Sequence, residues 1–226
     1  MDLTENINRT EYAALYEMAR PYGEQSLRGT KMTKVWRKKK CVIVNRVNTP
    51  EKIPALYIYF KNDLSRDKNN PGFNWLTFLV VEGAEGKSYL GRRRKDFHHH
   101  EYLMIKSHVF SRYAERHGWC GSREDLEEYI LVNAMLLWYD IDKYTGEVNA
   151  YFDDGMFLGY LKDGICYINT YVNEKTLYRN QKIKAKWQQL KLDDAKRNAD
   201  YLFDPQFKNM LEQIKCLQYE GLPVGK

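Results

Sequence analysis

The sequence predicts an α+β fold, with helices packed on an antiparallel β-meander and a β-rich N-terminal region. Three observations carry this. Short runs of β-branched and aromatic residues recur in the first half, at CVIVN (41–45), ALYIYFK (55–61) and WLTFLVV (75–81). Two stretches of helical periodicity follow, between His108 and Leu137. Beyond them, alternating segments are separated by TGE, DDG and DG turn signals, as in a meander. The chain has 226 residues, 43% hydrophobic and 29% charged. That length buries a sizeable core, and that composition argues against wholesale disorder.

The elements follow in order. Thr10 to Ala19 has helical spacing, with Thr10 as the expected cap, and Pro21 and Gly23 mark a loop. Strands are expected over 40–47, 55–61 and 75–82, with a polar loop at 62–72. A two-glycine turn leads to a short return strand at 88–92. The HHHEYLM segment reads as a strand feeding a turn, with Ser107 as helix cap. A helix runs from His108 to a stop at Gly118. A second begins at Ser122, with Glu124, Asp125 and Glu127 in its first turn and a stripe of Leu126, Ile130, Ala134 and Leu137. Strands at 138–142, 148–153, 156–162 and 165–172 form the meander, with Asp163-Gly164 as a type I′ turn. From Asn173 onward the chain is helical and charged. Residues 1–97 are expected as a basic β-rich region, and residues 98–226 as the helix-plus-meander domain.

Net charge is +6, which accommodates a phosphate-rich partner. The positive charge clusters at KMTKVWRKKK (31–40) and RRRK (92–95). Eighteen tyrosines suit half-buried strands and also base stacking. The four cysteines (Cys41, Cys120, Cys166 and Cys216) form no CxxC pair, which fits a reduced cytoplasmic protein. No apolar run reaches the ~20 residues of a membrane span, and the first residues lack a secretory pattern. The GKS at 86–88 lacks the first glycine of a P-loop. Asp140, Asp142, Asp153 and Asp154 have the chemistry of a carboxylate metal site, but they sit beside turns, where capping and solubility are the expected roles.

All five histidines lie between His98 and His117. His98, His99 and His100 have metal-binding chemistry, yet no HExxH or CxxC accompanies them, and no metal ligand is assigned. The helix SHVFSRYAERHG differs. His108, Arg112 and Arg116 are spaced by four, so they form a slowly drifting line along one helix. Guanidinium groups grip phosphate oxygens in pairs, and imidazole passes protons near neutral pH. The same pattern also fits a solvated basic helix face. Lys175, Arg179, Lys182 and Lys186 are expected as a second basic helix face, with Gln181 beside it.

The H-x3-R-x3-R helix, the second helix and the four-stranded meander resemble the small ribonuclease superfamily that includes bacterial RelE-like and BrnT-like toxins. The resemblance covers residues 104–181. It implies metal-independent RNA cleavage without a cofactor, by attack of the 2′-hydroxyl on the adjacent phosphorus. His108, Arg112, Arg116 and Thr170 match the catalytic positions, and Thr170 or Tyr171 would orient the phosphate. Apart from the resemblance, the basic segment after the meander adds Arg179 and Lys182 as expected phosphate contacts, with Gln181 reaching the same cleft if that helix packs beside the sheet. RNA and an antitoxin-like protein are the implied partners, without a membrane, and the implied origin is bacterial or phage. The chain is more than twice the usual length of such a toxin. Two alternatives stand beside this reading: a non-enzymatic nucleic-acid- or protein-binding module on the same basic surface, and a metal-dependent enzyme at the histidine run.

Overall fold

A computed structural model describes residues 8–29, 42–62, 72–92, 102–135, 137, 139–152, 155–179, 181–183 and 185–186. The chain opens with α1 (Arg9–Ala19) and α2 (Tyr22–Gly29). The cap of α1 is Asn8 rather than Thr10. Its side chain accepts from the Glu11 amide at 3.0 Å, and the Glu11 carboxylate accepts from the Asn8 amide at 3.0 Å. This reciprocal pair needs an acidic residue three positions after the cap, which Asn8 has. The expected loop at Pro21 and Gly23 is instead the start of α2. Proline is tolerated beside a helix start, where an amide hydrogen is not needed. Gly23 permits close packing, since a Cβ there would lie 2.4 Å from Trp75 Nε1. Its carbonyl also accepts a hydrogen bond from the buried Tyr59 hydroxyl, at 2.9 Å.

Strands β1 (Val42–Asn48), β2 (Pro54–Asn62), β3 (Gly72–Gly83), β4 (Gly86–Arg92) and β5 (Tyr102–Ile105) form an antiparallel meander. Helices α3 (Ser107–His117) and α4 (Arg123–Ala134) follow. The chain then returns through β6 (Asp140–Ile141), β7 (Glu147–Phe152), β8 (Gly155–Lys162) and β9 (Ile165–Asn173). The nine strands among the described residues belong to one sheet, in the order β1-β2-β3-β4-β5-β9-β8-β7-β6. Every pairing is antiparallel except β5 with β9, where Tyr102 lies opposite Ile165 and Ile105 opposite Ile168. The expected division at residues 97 and 98 falls between β4 and β5, which pair with each other.

Period-two alternation gives each strand two faces. Leu56, Ile58, Phe78, Val80, Tyr89, Leu103, Ile105, Phe157, Ile168 and Tyr171 point to one side. There they bury Val109, Phe110 and Tyr113 of α3 and the apolar face of α4. Full burial of a residue such as Phe110 contributes about 1.5–3 kcal/mol. Tyr57, Tyr59, Leu79, Val81, Leu90, Met104 and Ile165 point to the other side, under Tyr12, Tyr16 and Ala19 of α1. On that second side, Met156 of β8 packs with Leu177 and Ala185. Many tyrosines therefore serve the core.

Turn chemistry fixes the meander. Asp163 and Gly164 both take positive φ, at 51° and 74°, as a type I′ turn requires. The Asp142 carboxylate accepts from the Tyr144 and Thr145 amides, so this aspartate is a turn residue, as its position beside TGE implies. After Asn173 the chain is less regular than expected. Asn173 caps a 3-10 turn at Glu174–Thr176, and Leu177 is extended. Lys175 therefore does not share one helix with Arg179, Lys182 and Lys186. Among the described residues, no helix is long and apolar enough to cross a membrane.

Candidate functional site on helix α3

Helix α3 begins at a polar joint. The Ser107 hydroxyl donates to the Glu85 carbonyl at 2.6 Å, and its amide donates to the Ser88 hydroxyl at 3.2 Å. The cap position is Lys106, without a side-chain cap bond, so Ser107 anchors the helix to the β3–β4 turn rather than capping it. The helix ends at Gly118, which is left-handed at φ 60° and donates to the Ala114 carbonyl. Arg116 and His117 fill the last turn, where the helix dipole favours cations.

The expected line of His108, Arg112 and Arg116 lies along α3, and each member sits in a different setting. Arg112 Nε donates to His108 Nε2 at 3.0 Å, and His108 Nδ1 lies 3.9 Å from the Glu85 carboxylate. Both ring nitrogens of His108 thus face protein groups. Arg112 Nη1 also pairs with Glu115, at 2.9 Å. Arg116 is partly buried, and its Nη1 is shielded from solvent without a hydrogen-bond partner among the described residues. A buried guanidinium nitrogen is costly to leave unpaired, so this atom calls for an acceptor.

Two further features were not read from the sequence. His117 is exposed, and its ring stacks on the buried Tyr113 at 4.2 Å with an 18° interplanar angle. Its Nε2 lies 3.0 Å from the Tyr171 hydroxyl, which donates to the Phe152 carbonyl at 3.4 Å. The available signal was the Tyr113/His117 spacing of four, immediately before the Gly118 stop. The second feature is Glu127 of α4, almost fully buried. Its carboxylate accepts from Arg46 at 3.1 Å, Arg123 at 2.9 Å and the Tyr89 hydroxyl at 2.6 Å. Burial, followed by that hydrogen bond, pushes the Tyr89 hydroxyl well above its ordinary pKa.

Thr170 does not join the α3 line. Leu158 pairs with Thr170 and Gly159 with Ile168, which leaves Asn169 as the extra residue of a bulge. The bulge resets the alternation. Cys166, Ile168 and then Tyr171 face α3, while Thr170 shares the opposite face with its partner Leu158. Tyr171 itself is fully buried, with its hydroxyl between His117 and Phe152. Arg179 and Lys182 lie with Lys186, Tyr151, Glu174 and Ile183 around a cavity of about 540 Å³. Ala185, another of its lining residues, packs with Met156 and Leu177 on the sheet face away from α3. The Gln181 side chain accepts from the Tyr178 amide at 2.9 Å, a contact three residues back at the start of a helical segment. The sheet therefore separates the expected residues into two groups.

The basic run at 31–40, the histidines at 98–100 and the aspartates at 153 and 154 lie outside the described residues, as do Cys41, Cys216 and residues 93–95 of the second basic run. Arg92, the described member of that run, pairs with Glu17 of α1. Among the described residues, no group of three or more metal-binding side chains occurs. No family model, curated protein or solved structure matches the chain.

Proposed function

We propose that the protein is an endoribonuclease that binds the RNA phosphodiester on α3 and cleaves it without a metal ion. The observation that carries this reading is Arg116, whose shielded Nη1 has no hydrogen-bond partner among the described residues. A phosphate oxygen is the acceptor that suits it, because guanidinium and phosphate form short, charge-assisted hydrogen bonds. Arg112 lies one turn before Arg116 and supplies a second cation to the same ligand. In the reaction, the 2′-oxygen loses its proton to a base and bonds to phosphorus. The phosphorus–O5′ bond breaks, and the 5′-oxygen takes up a proton. The products are a 2′,3′-cyclic phosphate and a 5′-hydroxyl. Arg112 and Arg116 stabilise the charge that gathers on the equatorial oxygens, and an imidazole of α3 moves the proton.

A second reading, a binding module without turnover, draws support from His108, whose ring nitrogens face Arg112 and Glu85. One experiment separates them. Purified protein is incubated with end-labelled single-stranded RNA in EDTA, beside Arg116→Ala. Cleavage that leaves a cyclic phosphate, and falls at least about 100-fold in the variant, supports the ribonuclease. Intact RNA, with salt-sensitive binding that weakens in Arg116→Ala, supports the binding module.

A further inference from the structure

We infer that the cavity on the sheet face away from α3 is a binding site for a nucleoside phosphate. The inference goes beyond the ribonuclease reading and does not depend on it. Arg179, Lys182, Ile183 and Lys186 line the cavity from the segment after the meander, and Tyr151 of β7 lines it from the sheet. Residues 179, 181–183 and 185–186 are helical, and the Lys182 amide donates to the Tyr178 carbonyl at 2.9 Å. Offsets of three, four and seven from Arg179 place these four side chains within an arc of about 100° on one helix face. One ligand can therefore meet all three cations in a single space.

The charge of the cavity calls for an anion. Elsewhere arginines meet carboxylates: Arg46 and Arg123 pair with Glu127, Arg92 with Glu17 and Arg112 with Glu115. Arg179, Lys182 and Lys186 form no ion pair among the described residues, and Glu174, the acidic residue of the lining, pairs with none of them. Three cations less one carboxylate leave the lining with a net charge of +2. A phosphate monoester carries about −1.5 to −2 near neutral pH and matches it. The Arg179 fork can hold two of its oxygens, and the lysines act as point charges. The lining also has an apolar part. Ile183 is 53% exposed, and Tyr151 packs against the cluster of Met156, Leu177 and Ala185. An aromatic face accepts any base by stacking, and a carboxylate such as Glu174 accepts from a sugar hydroxyl. The volume of about 540 Å³ is that of a small-molecule site and far exceeds a bare phosphate. A free nucleotide and the phosphorylated end of an RNA chain both present this chemistry.

The test is calorimetric titration of the full chain with adenosine 5′-monophosphate, and with adenosine and inorganic phosphate as its two parts. The nucleotide should fill one site and bind at least about tenfold more tightly than either part. Arg179→Ala and Lys182→Ala, both at exposed positions, should each weaken it about tenfold or more. Tyr151→Leu should weaken the nucleotide about fivefold and leave phosphate unchanged. Lys143→Ala removes one exposed charge from the turn before β7 and should change affinity less than about twofold. Thermal unfolding is measured on each variant, and the arginine and lysine variants carry the test if Tyr151→Leu does not fold. A 2′-O-methyl oligoribonucleotide, which has no free 2′-hydroxyl to attack its own backbone, is titrated with and without a 5′-phosphate. Tighter binding of its phosphorylated form than of the nucleotide assigns the site to an RNA end, and no such gain assigns it to the free nucleotide. Absence of binding by both the nucleotide and the phosphorylated oligomer overturns the inference. So does an equal loss in Lys143→Ala, which makes the attraction diffuse, or phosphate that binds as tightly as the nucleotide.

Discussion

Glu127→Ala tests the buried charge network that ties β1, β4 and α4 together. Three donors converge on that carboxylate: Arg46, Arg123 and the Tyr89 hydroxyl. The two arginine side chains are 37% and 39% exposed, so water replaces much of what they lose. Each such pair contributes about 0–1 kcal/mol. Tyr89 is 1% exposed and loses its acceptor outright, at a cost of about 1–3 kcal/mol. Removing one buried methylene adds about 0.8 kcal/mol. The expected loss is roughly 2–6 kcal/mol, with the tyrosine its largest part. Glu127→Gln keeps an acceptor for Tyr89 and should lose about half as much. The assay is urea unfolding with the m-value checked for constancy. A double-mutant cycle with Tyr89→Phe should show coupling of at least about 1 kcal/mol. Coupling near zero would refute the assignment of the cost to the stranded hydroxyl, and equal losses in the two Glu127 variants would place it on the charge instead.

Three further outcomes are expected. Gly155→Ala drives a Cβ to 2.2 Å from the Val172 carbonyl and 2.5 Å from the Tyr171 hydroxyl; it should cost about 1–3 kcal/mol, and an unchanged Tm would show that the hairpin relaxes freely. Ser122→Ala removes the acceptor for the Asp125 amide at 3.1 Å and should cost about 1 kcal/mol by equilibrium unfolding. Burial raises the Tyr16 and Tyr59 hydroxyls to about 12, and raises Tyr57 and Tyr89 as well. Above pH 10 the unfolded chain releases these protons while the native chain retains them, so stability falls as pH rises. Each tyrosine contributes a slope of about 1.4 kcal/mol per pH unit, and alkaline titration of the unfolding midpoint should show a steep loss beginning near pH 10.

Local signals in the sequence were decisive where the chemistry is local. Gly118 ended α3 because a left-handed cap favours glycine, Ser122 capped α4, and Asp163-Gly164 turned β8 into β9. Signals failed where distant groups decide. Gly23 reads as a breaker, yet close packing of Trp75 and the Tyr59 hydroxyl stabilise it within α2. Ser107 has the chemistry of a cap, but the β3–β4 turn claims its hydroxyl. Thr170 reads as an α3-facing residue on simple alternation, and the bulge at Asn169 reverses that. His117 looks like a terminal helix residue until β9 brings Tyr171 beneath it.

The parallel seam between β5 and β9 also has a kinetic meaning. β1 to β5 and β6 to β9 each consist of sequence neighbours paired in antiparallel fashion, so each can zip early from local contacts. The seam joins residue 102 to residue 165, so its closure carries the entropic cost of the long intervening segment that holds α3 and α4. The His117–Tyr171 contact spans the same interval, with one partner before the second meander and one in its last strand. A chain halted before the seam closes would hold both meanders and still lack this pair. This contact therefore depends on the long-range closure that joins the two halves of the sheet.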